Sequence, residues 1–201
     1  MSIPVPPRPS GYRLGSGDAP IQIEVFIDLE CPFSKKGWST MLALADLSGD
    51  RLQPAIAGRP IAITALPAIL CDHRQSWDLT KALAKVAGAD GPRGWQFISH
   101  LYQHQQTFSG DAFNSKTRQE LFDLIEQLIT AFDPNLPAAE VVKASSSDDG
   151  AIASQAKASI RYAISQGVWS TPTFVVNGSQ VPQLESSATV SDWHEFLASL
   201  D

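Results

Sequence analysis

The sequence predicts an α/β fold in which a strand–helix–strand unit and a closing hairpin–helix unit are separated by a block of helices. Three observations predict it. The stretches "IQIEVFID" and "RPIAITALP" are short, apolar and rich in β-branched residues, the composition of buried strands. From Gln75 to Gln166 the pattern turns helical, with apolar residues three and four apart. After Gly167, "TPTFVVNGSQV" returns to strand character around Asn177-Gly178, a two-residue hairpin signal. The helices interrupt an α/β pattern rather than follow it, so they read as an insertion and not as a second independent domain.

In chain order, residues 1–11 read as a proline-rich arm, with four prolines among the first nine residues. An edge strand and a turn are expected in "GYRLGSGDAP", followed by the first buried strand. Pro32 stands where a helix opens, its fixed φ suiting the first turn. That helix is expected to run through "SKKGWSTMLALADLSG", with the second strand after it. "SWDLTKALAKVAG" ends on Gly88, a glycine C-cap. "PRGWQFISHLYQHQQTF", "SKTRQELFDLIEQLITAF" and "LPAAEVVKASS" each predict a helix. Asp148 and Asp149 mark the acidic start of another, through "SDDGAIASQAKASIRYAISQG". "SDWHEFLASL" is expected to be a closing helix capped by Ser191. The core is then residues 12–70 and 167–201, split by a helical insertion over 71–166.

Apolar residues make up 43% of the 201, enough for a sizeable core. A formal charge of −6 argues against nucleic acid as the main partner, since neutralising phosphates needs a basic excess. No run approaches the roughly 18 apolar residues of a membrane span. The N-terminal residues lack the apolar centre of a signal peptide, and two cysteines are too few for a disulfide framework. The lack of an export signal points to a reducing, cytoplasmic setting.

The cysteines are Cys31 and Cys71. Cys31 closes the "IQIEVFIDLE" segment just before a helix N-terminus, where unpaired backbone amides favour a thiolate. Lys35 and Lys36 add positive charge to that first turn, and Asp28 and Glu30 oppose it. Ser34, one turn along, is expected to offer its hydroxyl to the sulfur. Cys71 follows the second strand, which should end at the same sheet edge as the first. It reads as a second, resolving thiol or, as free cysteine more commonly is, as a small buried residue. His73 reads as a proton carrier at that edge or as a surface or capping residue.

The stretches "LGSGDAPIQIEVFIDLECPFS" and "GVWSTPTFVVNG" resemble the DsbA-like branch of the thioredoxin superfamily, over nearly the whole chain beyond the arm. The resemblance implies a thioredoxin-like fold with an inserted helical subdomain. It also implies thiol–disulfide oxidoreductase chemistry with Cys31 as nucleophile. Thr171 and Pro172 would form a cis pair facing it, and with Pro32 and Phe33 would bind an extended substrate or glutathione. In that branch the motif is Cys-Pro-x-Cys, whereas here Ser34 stands at the second position. The stretch "CDHRQSWDLTKALAKVAG" is similar to eukaryotic-type members, which carry a histidine closely followed by Gln-Ser after the second strand.

A serine oxygen forms no disulfide, so a mixed disulfide at Cys31 must be resolved elsewhere. One reading is a monothiol enzyme that exchanges with protein or glutathione disulfides, resolved by glutathione or by Cys71. The alternative is a redox-inactive binding module that holds a peptide or a small thiol. A glutathione-conjugating enzyme fits less well, since such relatives place a serine where this chain has Cys31. No cofactor is expected beyond glutathione as a co-substrate, and the sequence does not set the oligomeric state.

Remaining candidates have ordinary explanations. His100 and His104 lie one helical turn apart with no third ligand near in sequence, so they read as helix residues rather than a metal site. Cys31, Cys71 and His73 would bind metal only if they converged. Trp38, Trp77 and Trp95 read as core, and Trp169 and Phe33 as core or as walls of a groove beside Cys31. Glu24 and Asp28 are candidates for a buried proton acceptor or for half-exposed strand residues.

Overall fold

A computed structural model defines the fold and describes residues 10–45, 55–56 and 58–200. Most of the proline arm, and the end of the first predicted helix beyond Ala45, lie outside those residues. The strands are β1 (Tyr12–Leu14), β2 (Ile21–Ile27), β3 (Ala55–Ile56), β4 (Arg59–Pro67), β5 (Thr173–Val176) and β6 (Ser179–Gln180). Helix α1 (Pro32–Ala45) follows β2, and α8 (Val190–Ala198) closes the chain. Between β4 and β5 lie α2 (Ser76–Ala87), α3 (Gly91–Gln103), α4 (Gly110–Phe113), α5 (Arg118–Phe132), α6 (Ala138–Ser146) and α7 (Ala151–Ser165).

Across the sheet the order is β1-β4-β2-β5-β6, with β3 pairing along the start of β4. β2 and β4 run parallel, in register from Ile21 opposite Ile61 to Ile27 opposite Pro67. Both therefore end at one edge, and Cys31 and Cys71 leave the sheet on that side. β2 is central and apolar on both faces. Ile21, Ile23, Val25 and Ile27 join Trp38 and Met41 of α1 and Trp193 and Leu197 of α8 in the main core. On the other face Phe26 packs with Leu66, Val175 and Ala163 of α7. The β5–β6 turn holds Asn177 at φ 47° and Gly178 at φ 81°. Two successive left-handed residues are what the tight hairpin requires.

Three boundaries differ from the sequence expectation. The helix expected through Phe108 ends at Gln103 and tightens into a 3₁₀ turn over Gln105–Thr107. That turn lets Gln105 reach back to the carbonyls of Leu29 and Cys31. The last helix is capped by Thr189, not Ser191: Thr189 Oγ1 accepts the Asp192 N–H while Asp192 accepts the Thr189 N–H. A full capping box satisfies two helix-end donors, where Ser191 would satisfy one. Asp148 is not a helix-start residue, since α7 begins at Ala151. Instead it binds Lys81 at 2.8 Å, Arg118 at 2.9 Å and the Trp77 indole at 2.7 Å. Those contacts hold its carboxyl well below the usual carboxylate range, the Arg118 hydrogen bond foremost.

Candidate active site

Cys31 stands immediately before Pro32, the first residue of α1, and its carbonyl accepts the Lys35 N–H. The sulfur is buried, and its S–H donates to the Thr171 carbonyl at 3.2 Å. The Thr171–Pro172 peptide is cis. The Pro172 ring lies against α1 at Gly37, where a Cβ would come within 3.2 Å of Pro172 Cγ. A groove of about 340 Å³ opens beside this junction, lined by Phe33, Thr171, Pro172, Thr173, Leu184 and Glu185 among others. Phe33 is 61% exposed at its rim, and Trp169, two residues before Thr171, is 88% exposed. Neither aromatic is core. The Thr171 hydroxyl is buried without a hydrogen-bond partner.

Ser34 does not serve the sulfur in the way its spacing suggests. It is fully buried, and its Oγ accepts the Asp28 N–H at 3.2 Å. It is also hydrogen-bonded to the Tyr102 phenol, whose O–H donates to the Asp28 carbonyl at 3.1 Å. With the phenol proton committed to Asp28, Ser34 must be the donor to Tyr102. Asp28, Ser34 and Tyr102 thus form a closed hydrogen-bond ring under the Cys31 turn. Burial, reinforced by the Asp28 charge, pushes the Tyr102 phenol well above the usual tyrosine range.

The inserted helices hold the rest of the turn. The Gln105 amide donates to the carbonyls of Leu29 and Cys31 at 2.9 and 3.1 Å. Glu30, next to Cys31, accepts the Gln75 and Ser76 N–H groups at 2.6 and 2.9 Å. It therefore caps α2, whose own N-cap residue Gln75 supplies no side-chain bond. Burial raises the Glu30 carboxyl above the ordinary glutamate range, against the lowering pull of those two N–H groups.

Asp28 is 1% exposed. Its Oδ1 accepts the Glu30 N–H at 2.9 Å and the Ser76 hydroxyl, and its Oδ2 accepts the Leu70 N–H at 2.7 Å. His73 Nδ1 lies 3.0 Å from Oδ2, an ion-pair distance, but off the line of a hydrogen bond. Glu24, the other acidic candidate on β2, accepts instead from the Tyr162 hydroxyl at 2.7 Å.

Cys71 is exposed in the turn after β4, so the expectation of a small buried residue does not hold for it. Both cysteines are free. Among the described residues, no group of three or more His, Cys, Asp or Glu could hold a metal ion, so Cys31, Cys71 and His73 do not converge as ligands. His100 Nε2 and His104 Nδ1 each donate to a helix carbonyl at 2.9 Å, which occupies them structurally. Among the described residues, no helix is long and apolar enough to cross a membrane.

Sequence reasoning did not find Glu30 as a cap, nor Ser76, Tyr102 or Gln105. The one available signal was the paired acids Asp28 and Glu30 flanking an apolar residue beside a cysteine, an arrangement that burial makes costly without donors.

No family model matches the sequence, and no curated protein matches it. Solved structures do. A candidate protein-disulfide isomerase from Pseudomonas syringae is 20% identical, with a TM-score of 0.71 over 93% of this chain and 97% of its own. DsbA of Chlamydia trachomatis is 19% identical, with a TM-score of 0.69 over 100% of this chain and 95% of its own. BdbD of Bacillus subtilis is 17% identical, with a TM-score of 0.68 over 94% of this chain and 91% of its own. At these identities the likeness concerns architecture: the chain has the thioredoxin-like fold, with helices inserted between β4 and β5, that DsbA proteins have.

Proposed function

We propose that this protein is a thiol–disulfide oxidoreductase of monothiol type, with Cys31 as its nucleophile. The observation that carries the reading is the Cys31 sulfur, held between the start of α1 and the Thr171 carbonyl that precedes cis-Pro172. Solved structures of the same fold that are named for disulfide chemistry support it. Cys31, having lost its proton, attacks one sulfur of a protein or glutathione disulfide. The Cys31 mixed disulfide forms, the substrate S–S bond breaks, and the other substrate sulfur leaves as a thiolate that takes up a proton. Thr171, Pro172, Pro32 and Phe33 border the disulfide-bearing segment.

Ser34 cannot complete an internal disulfide, so a second thiol must attack the adduct. Glutathione serves as that co-substrate in this reading, which suits a compartment such as the cytoplasm where glutathione keeps thiols reduced. Cys71, exposed after β4, is the other candidate. One observation favours a redox-inactive binding module instead: the Ser34 hydroxyl is committed to Asp28 and Tyr102 rather than to the sulfur.

Intact mass with peptide mapping after oxidised-glutathione treatment, on wild type and Cys71→Ser, separates these readings. A glutathione adduct on Cys31 in both proteins supports glutathione-resolved chemistry. Loss of two hydrogens linking Cys31 to Cys71, absent in the variant, makes Cys71 the resolver. An unmodified Cys31 at neutral pH leaves the binding module.

A further inference from the structure

The starts of α2 and α5 flank a cavity of about 370 Å³ bordered by Arg74, Gln75, Trp77, Phe113, Lys116 and Leu121 among others. Asp78, Asp148 and Arg118 line it as well, but their charges are spent on one another. Arg118 donates from Nε and Nη2 to Asp78, and from Nη1 and Nη2 to Asp148. The fully buried Lys81 lies 3.0 Å from Asp78 and 2.8 Å from Asp148. Two acids and two cations therefore cancel, which leaves Arg74 and Lys116. Both are exposed, and among the described residues neither forms an ion pair or donates a hydrogen bond. The Lys116 ammonium rests over the Phe113 ring at 4.7 Å, while the nearby Glu120 carboxylate is taken by the N–H and hydroxyl of Thr117. Positive charge is thus in excess around this cavity, in a chain of formal charge −6.

Gln75 points to what enters it. The residue is 4% exposed, yet its side-chain amide makes no hydrogen bond among the described residues. The amide keeps contact with solvent, and the cavity is the opening that the residue borders. A buried amide without partners is costly, so this one favours a ligand with an acceptor for Nε2 and a donor for Oε1. A fully ionised phosphate or sulfate only accepts, and leaves Oε1 facing negative charge. A main-chain peptide unit supplies both groups. Trp77, Phe113 and Leu121 add an apolar wall, and the volume lies within the range of ligand sites. We propose that this cavity is a docking site for an acidic peptide segment: Arg74 and Lys116 pair with its carboxylates, and Gln75 bonds its main chain. Neither Cys31 nor disulfide exchange takes part, so the site stands or falls apart from the oxidoreductase reading.

Calorimetric titration of the full chain with the blocked peptide acetyl-Glu-Leu-Glu-Ala-amide tests it, with acetyl-Gln-Leu-Gln-Ala-amide as the uncharged control. The glutamate peptide is expected to bind more tightly than the control, and added salt to shrink the difference. Arg74→Gln and Lys116→Gln are each expected to weaken its binding by roughly twofold to fivefold, the scale of one exposed charge pair. Lys85→Gln removes an equal charge from the last turn of α2 and is expected to change nothing. Gln75→Leu keeps the main-chain N–H that Glu30 accepts, and is expected to weaken both peptides by roughly threefold to tenfold. Equal binding of the two peptides, or equal weakening by Lys85→Gln, would overturn the proposal, because no placed charge would then be needed. Undetectable binding of the glutamate peptide at millimolar concentration would overturn it too, as would unchanged affinity in Gln75→Leu. Free glutamate or inorganic phosphate binding as tightly as the peptide would assign the cavity to small anions and sink the peptide reading.

Discussion

Cys31 and Thr171 meet through an S–H to carbonyl contact of 3.2 Å across 140 residues of chain, joining the start of α1 to the turn before β5. The chain's two recognisable motifs lie at the two ends of that contact. Between them in sequence lie the helices that hold the Cys31 turn in place.

On the proposed monothiol reading, replacing Ser34 with cysteine is expected to supply an internal resolving thiol. Mild oxidation of Ser34→Cys should remove two hydrogens linking residues 31 and 34, and the glutathione adduct should no longer accumulate. The reduced variant should lose about 1–2 kcal/mol, because sulfur is larger than oxygen and a poorer hydrogen-bond partner in a fully buried site. An undiminished adduct would show that the missing second thiol is not what halts resolution.

Tyr102→Phe breaks the ring under Cys31 while keeping the aromatic packing. Urea unfolding is expected to show a loss of about 1–2 kcal/mol, one buried hydrogen-bond network's worth. Adding Ser34→Ala should then cost clearly less than it does in wild type, since both changes remove the same ring. Strict additivity would mean the three groups act separately.

Glu30 gives a pH signature. Its carboxyl is raised in the folded chain, so its contribution to stability is fully present at low pH and is lost as pH rises through the folded value. Glu30→Gln keeps an acceptor for the α2 N–H groups but cannot ionise. The variant is therefore expected to gain stability relative to wild type as pH rises from the ordinary glutamate range toward neutrality. Paired denaturant curves at acidic and neutral pH measure this, and a shift in the opposite direction would mean the ionised carboxylate is the better cap.

Lys81 is fully buried, with Asp78 at 3.0 Å and Asp148 at 2.8 Å. Lys81→Ala leaves a cavity and strands the buried Asp78 with Arg118 alone. Thermal or urea unfolding should show a loss of about 2–4 kcal/mol. Cys31 reactivity should be unchanged, because this cluster joins α2 to the segment before α7 and not to the Cys31 turn.

Much of this molecule was set by local pattern. β4 is the strand read from "RPIAITALP", because a continuous apolar run bounded by breakers leaves few alternatives. The Asn177-Gly178 turn follows from two residues that tolerate positive φ. Cys31 at a helix start and Pro172 after threonine were both legible, since each depends on its immediate neighbours. Tertiary structure decided everything that depends on which distant polar groups share a buried space. Ser34 faces Tyr102, 68 positions away in sequence, and Glu30 caps a helix that starts 46 residues later. Both arrangements exist because a buried donor or acceptor without a partner is expensive. The interior selects whichever partner the packing brings near, and the linear order of residues does not record that choice.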